Sequence, residues 1–159
     1  DASNPAMAAE LGVAYQLDGQ LGRAERWLET AVTLSENDPR FEEMISLLYF
    51  TRQITNDDEP TGMIGPVAQN PDALASLAWS YYNIGNPQTA VALLDSALDV
   101  TPDNLNAAYY RGLIAVDEGD LSLAETLLTS VAGSDSPFAA DAVTQLGVIQ
   151  AMRLSEGNR

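Results

Sequence analysis

The sequence predicts an all-α fold, a short right-handed α-solenoid of antiparallel helix pairs with a closing C-terminal helix, and three observations predict it. At a nearly constant period a small polar residue stands directly before a proline, at Asn4-Pro5, Asp38-Pro39, Asn70-Pro71, Thr101-Pro102 and Ser136-Pro137, in steps of 34, 32, 31 and 35 residues. Between these marks the apolar residues recur at helical spacing. Glycine-bearing turns at Asp18-Gly19, Gly85-Asn86-Pro87 and Glu118-Gly119-Asp120 then cut the stretches into halves. A polar side chain can cap the free N–H groups of a helix start and proline fits the first helical position, so most of the polar-proline pairs announce a new helix. Units of this period bury a continuous core only by stacking on one another, and such arrays are built to hold other molecules.

The first unit, 5–38, carries Leu11 and Tyr15 before its turn and Leu21, Ala24, Leu28 and Ala31 after it. Two helices joined by a tight glycine turn follow from that pattern. In the second unit only residues 39–55 have helical character, through Phe41, Ile45, Leu48, Tyr49 and Arg52. The run Asn56-Asp57-Asp58-Glu59-Pro60-Thr61-Gly62, followed by Gly65-Pro66, puts turn formers and prolines where the second helix of that unit should lie. Residues 56–70 therefore read as a loop: a hinge, a lid over a groove, or the cover of a degenerate unit.

The third unit, 71–104, carries Leu74, Leu77, Ala78 and Tyr81, then Ala90, Leu94 and Ala97. The fourth, 105–138, carries Ala108, Gly112 and Ala115, then Leu121, Ala124, Leu128 and Val131. Asn86 and Asp120 stand where second helices begin and supply their caps. Small residues at Gly12, Ala78 and Gly112 on first helices, and Ala24, Ala90 and Ala124 on second helices, recur where paired helices must cross closely. After Pro137 a last amphipathic helix runs through Phe138, Ala142, Val143, Leu146, Ile149 and Met152, and its stretch 139–155 covers the final stacking face.

Composition removes several chemistries. With no cysteine and no histidine, thiolate and imidazole metal sites, disulfides and the common proton-transfer side chain are all missing. The net charge is -16, from 23 acidic against 7 basic residues, every basic one an arginine. Phosphate backbones and anionic headgroups would repel such a chain, so nucleic acid is not an expected partner. A basic peptide would be drawn in, with salt dependence, although the same charge also serves solubility alone. The apolar stretches are short, as from Ile45 to Phe50 where Ser46 interrupts, and fall far below the ~20 residues that span a bilayer, so no membrane insertion is expected. The expected setting is soluble, cytoplasmic or periplasmic, with any signal or anchor absent from this chain.

The units resemble the tetratricopeptide repeat, a helix-turn-helix of 34 residues with a Trp, Leu-Gly, Tyr, Ala, Phe, Pro signature. The first unit shows Leu11-Gly12, Tyr15, Ala24 and Leu28; the third shows Leu77-Ala78, Tyr81, Ala90, Leu94 and Pro102; the fourth shows Gly112, Ala124 and Leu128. Arg111 departs from the pattern where leucine is expected, and Ala8, Leu74 and Ala108 replace the signature tryptophan. The resemblance implies a bacterial-type, non-enzymatic scaffold or adaptor for protein–protein interaction, in which first helices line a concave wall.

The residues opposite the packing stripe of those helices are the candidates for contact. They are Asp72, Ala75, Ser76, Trp79, Tyr82 and Asn83 in the third unit, Asn106, Tyr109, Tyr110, Leu113 and Asp117 in the fourth, and Val148 and Met152 on the closing helix. The first unit offers Ala6, Ala9, Glu10, Val13 and Leu17. The lysine-arginine-asparagine clamp with which the family grips a chaperone carboxyl terminus is absent, and Asp72 and Asp117 would repel a terminal carboxylate. What remains is an aromatic trough with an acidic border, suited to an apolar or amphipathic peptide or helix whose polar side is basic. Aromatics at helical spacing also serve ordinary helix packing. No catalytic residue, metal site or cofactor is expected, since neither Asp57-Asp58-Glu59 nor Asp117-Glu118-Gly119-Asp120 follows a calcium-loop spacing. The rival reading is a self-assembling structural module, a homo-oligomeric scaffold or assembly factor.

Overall fold

The computed structural model describes residues 3–36, 38–56 and 70–157, and places eight helices among them. They are α1 (Pro5–Leu17), α2 (Leu21–Leu34), α3 (Pro39–Asn56), α4 (Pro71–Asn83), α5 (Pro87–Val100), α6 (Leu105–Glu118), α7 (Leu121–Ala132) and α8 (Ala139–Gly157). Successive helices α1/α2, α4/α5 and α6/α7 pack as pairs, α3 lies against α2, and α8 against α7. The expected loop or hinge falls on residues outside the described ones, apart from Asn56, which ends α3, and Asn70, which caps α4.

Local chemistry sets the helix ends. Asn4 Oδ1 accepts from the N–H groups of Ala6 and Met7 at 2.9 and 3.4 Å, and Asn70 Oδ1 from those of Asp72 and Ala73 at 3.1 and 3.4 Å. Asn86 and Asp120 cap α5 and α7 through Thr89 N and Leu123 N at 3.2 and 3.0 Å. Each such bond satisfies a donor the helix leaves free, worth about 1 kcal/mol. Thr101-Pro102 and Ser136-Pro137 do not place their prolines in the following helix, and α8 starts only at Ala139. Thr101 caps the end of α5, and α6 starts four residues later, at Leu105, under Asn104, whose Oδ1 accepts from Ala107 N at 2.7 Å. The turns between paired helices place Gly19, Gly85 and Gly119 at φ 75°, 85° and 79°. A side chain there would meet the steric cost of the left-handed region.

Paired helices approach closely because the crossing point carries no side chain on one of them. A Cβ built on Gly12 would stand 2.6 Å from Leu28 Cγ, and one on Gly112 would stand 2.8 Å from Leu128 Cγ. Ala24 and Ala124 sit one turn before those leucines and are fully buried. The buried face of α1 is accordingly Ala8, Ala9, Gly12 and Gln16. Leu11, expected in the packing stripe, is exposed, and Ala9, expected on the open wall, is buried.

Three buried clusters stack along the axis, around Leu28 and Leu48, around Leu74, Leu93 and Leu94, and around Leu128 and Ile149. Leu17 of α1 with Leu47 and Phe50 of α3 packs directly on the central cluster. There the Tyr81 hydroxyl donates to the Gln16 carbonyl at 3.3 Å, and the buried Gln16 amide donates to Thr51 Oγ1 at 3.3 Å. Arg111, where the pattern wants leucine, is only 11 % exposed; its guanidinium donates to Asp95 at 3.0 Å and to Glu118 at 3.1 Å.

Candidate functional site

The first helices α4 and α6 carry the aromatic residues, and stacking brings them into one file. Trp79 lies against Tyr82, one turn on, with ring centroids 5.4 Å apart, and against Tyr110 of the next repeat at 4.8 Å. Both pairs are near parallel, at 17° and 16°. Tyr110 meets Phe138 at 5.6 Å, and Phe138 stacks face to face on Tyr109 at 4.3 Å and 5°. The file thus runs Tyr82, Trp79, Tyr110, Phe138, Tyr109, crossing from α4 over α6 to the turn before α8.

Acidic groups hold its ends. The Tyr82 hydroxyl donates to Asp117, and the Tyr109 hydroxyl donates to Asp141 at 2.6 Å. The Asp117 carboxylate that accepts from Tyr82, with burial second, pushes the Tyr82 phenol up to about 12. For Tyr109 the order reverses: burial leads, the bond to Asp141 follows, and the phenol again rises to about 12. Both stay protonated donors at neutral pH. Farther along, Asp72 accepts from Asn104 Nδ2 at 2.9 Å and from Asn106 Nδ2 at 2.8 Å, tying α4 to the start of α6.

The expected wall residues separate into three groups. Asp72, Ser76, Asn83 and Asp117 are exposed, and Trp79, Tyr82, Asn106, Tyr110 and Leu113 are half-buried with part of each surface open. Val148 and Met152 stand exposed on α8. Ala75 and Tyr109 are corrections. Ala75 is 0 % exposed and belongs to the central core, because α4 packs on neighbours at both sides as well as on α5. Tyr109 is 8 % exposed because Phe138 covers its ring.

Two contributors escape a reading of first helices alone. Phe138, expected in the apolar stripe of the closing helix, stands instead in the turn before α8 and joins the file from there; Ser136 Oγ accepts from its N–H at 3.2 Å. A hollow of about 370 Å³ lies between α1, α3 and α4, lined by Val13, Met44, Leu47 and Leu77 with Arg40 and Glu43 at its rim. Ser76 belongs to this hollow and to the exposed wall of α4. No periodicity within one helix reveals a space that three helices share.

Among the described residues no three carboxylates gather where they could hold a metal ion, and no helix is long and apolar enough to cross a membrane. The arrangement offers aromatic rings, carboxylates and amides. Residues 76–140 match the family model of the tetratricopeptide repeat, in keeping with the helix pairs. No curated protein matches the chain.

Proposed function

Residues 76–140 are a tetratricopeptide-repeat segment, and from that premise we propose that this protein is a non-enzymatic adaptor that captures a peptide or helix on its concave wall. Repeats of this kind generally mediate protein–protein interaction, and the family is typically an interaction module rather than an enzyme. The observation that carries the reading is the file of Tyr82, Trp79, Tyr110 and Phe138. Aromatic rings with part of their surface open, pre-aligned by their neighbours, supply large contact area at little entropic cost.

The border selects the guest. Asp72 and Asp117 are exposed beside the rings, and the whole chain carries a net charge of -16. An apolar or amphipathic segment with lysine or arginine on its flanks meets both surfaces, whereas an acidic carboxyl terminus would be repelled. Assembly with copies of itself would instead bring like charges together; sedimentation across a concentration series distinguishes the two, since adaptor capture needs no oligomer.

Titration of basic amphipathic peptides tests the reading, followed by Trp79 fluorescence in a Trp27→Phe background. Saturable quenching or enhancement that weakens with salt is expected, and Trp79→Ala should remove about 2–4 kcal/mol of binding. Unchanged affinity in both Trp79→Ala and Tyr110→Ala would take the wall out of consideration.

A further inference from the structure

The indole of Trp79 has no open face. Tyr82 of its own helix and Tyr110 of the next repeat lie within 17° and 16° of parallel to it, at 5.4 and 4.8 Å. These two rings form no pair with each other, so they sandwich the indole between them. What the half-buried Trp79 leaves open is its edge. That edge carries Nε1–H, which no group among the described residues accepts, and no buried polar side-chain atom among them lacks a partner. The N–H is therefore a free donor that can be reached from outside. Ser76 and Asn83, three residues before and four after Trp79, share its side of α4 and are exposed. The Asn83 amide is unbonded among the described residues, and Asn106, which gives Nδ2 to Asp72, keeps Oδ1 open.

We infer that Trp79 reads its guest through this N–H, by donating to a main-chain carbonyl of a segment held in extended form, and that the wall thereby prefers an extended segment to a helix. The inference rests on the wall as a capture surface and narrows its guest. A guest that covered the indole edge with apolar side chains alone would bury an unpaired donor, which is penalised, whereas a carbonyl arriving there satisfies it. In a helix each carbonyl before the last turn is already committed to a backbone N–H and stands behind the side chains. An extended strand turns alternate carbonyls to the same side and has no internal use for them. Asn83 and Asn106 offer further partners to the same strand, since a carboxamide both donates and accepts. The sandwich also denies a guest cation the face of the indole, so arginine or lysine is left to the exposed Asp72 and Asp117.

Two labelled, end-capped probes of equal length and charge test this on the whole chain. One alternates arginine with valine; in the other, α-aminoisobutyric acid replaces each valine and holds the backbone helical. Fluorescence anisotropy should show the first binding about tenfold more tightly than the second. Trp79→Phe, which keeps a ring and loses the N–H, should weaken the first probe about fivefold and the second much less, with circular dichroism reporting an intact fold. In the wild type the indole proton of Trp79, assigned by its loss in the variant, should move downfield in nitrogen–proton correlation spectra as the first probe saturates. The indole proton of Trp27, on α2, should stay in place. Equal binding of the two probes, equal weakening of both by the variant, or a Trp79 proton unmoved at saturation overturns the inference and leaves the wall standing. Binding of neither probe removes the wall as well.

Discussion

The indole of Trp79 and the phenol ring of Tyr110 lie 4.8 Å apart and within 16° of parallel, although they belong to successive repeats. A ring pair of this geometry is worth about 0.5–1.5 kcal/mol beyond its buried area. Trp79→Ala, Tyr110→Ala and the double variant, unfolded in urea, should therefore show a coupling of that size. Strict additivity would mean that the two repeats are not joined through these rings.

Glycine serves opposite ends in α6 and α8. Gly112→Val would drive a branched side chain into Leu128, already 2.8 Å from a Cβ, and should destabilise by about 1–3 kcal/mol. Gly147→Ala meets open space and replaces a poor helix former, so it should stabilise by roughly 0.5–1 kcal/mol. Melting temperatures that move the same way in both variants would contradict the packing described.

Alkaline pH should loosen the fold. Burial above all, then the bond to Glu25, pushes the Tyr49 phenol up to about 12, where Tyr82 and Tyr109 also stand. Unfolded phenols release their protons near 10. Between 10 and 12 the folded chain therefore holds more protons than the unfolded one, and stability falls as pH rises through that window. Below it these groups leave stability unchanged. Phenylalanine at position 82 should flatten the decline in thermal melting, modestly because the ring is part-exposed.

Arg111 occupies a leucine place and keeps its charge through Asp95 and Glu118. Both carboxylates are themselves exposed and can return to water without a partner. Arg111→Leu should accordingly match or exceed wild-type stability and remove part of its salt dependence. A loss above about 2 kcal/mol would show that the paired arginine is needed for α5 to meet α6.

The parts legible in the sequence are those decided within a few residues. Asn86, Asp120 and the glycines of the turns act on neighbouring N–H and C=O groups, so their roles follow from position. Thr101-Pro102 misleads because proline is as compatible with leaving a helix as with starting one, and Asn104 takes over the cap. Side-chain exposure on the wall is harder, since a first helix meets its own partner and the first helices of adjacent repeats. Trp79 and Tyr110 keep an open face under those contacts, whereas Tyr109 loses its own to Phe138. Gln16 is the least legible: its polarity says surface, but the bond to Thr51 settles it in the interior.

The hydroxyl of Tyr81 reaches the carbonyl of Gln16 across 65 residues of chain. Arrays of helix pairs ordinarily fray from whichever end is weaker, layer by layer, with each layer held only by those beside it. A bond that spans from α4 to α1 shortens that ladder by a rung, so amide hydrogens at the foot of α1 should exchange with deuterium as slowly as those in the middle of α4, and the amino-terminal pair should not melt on its own.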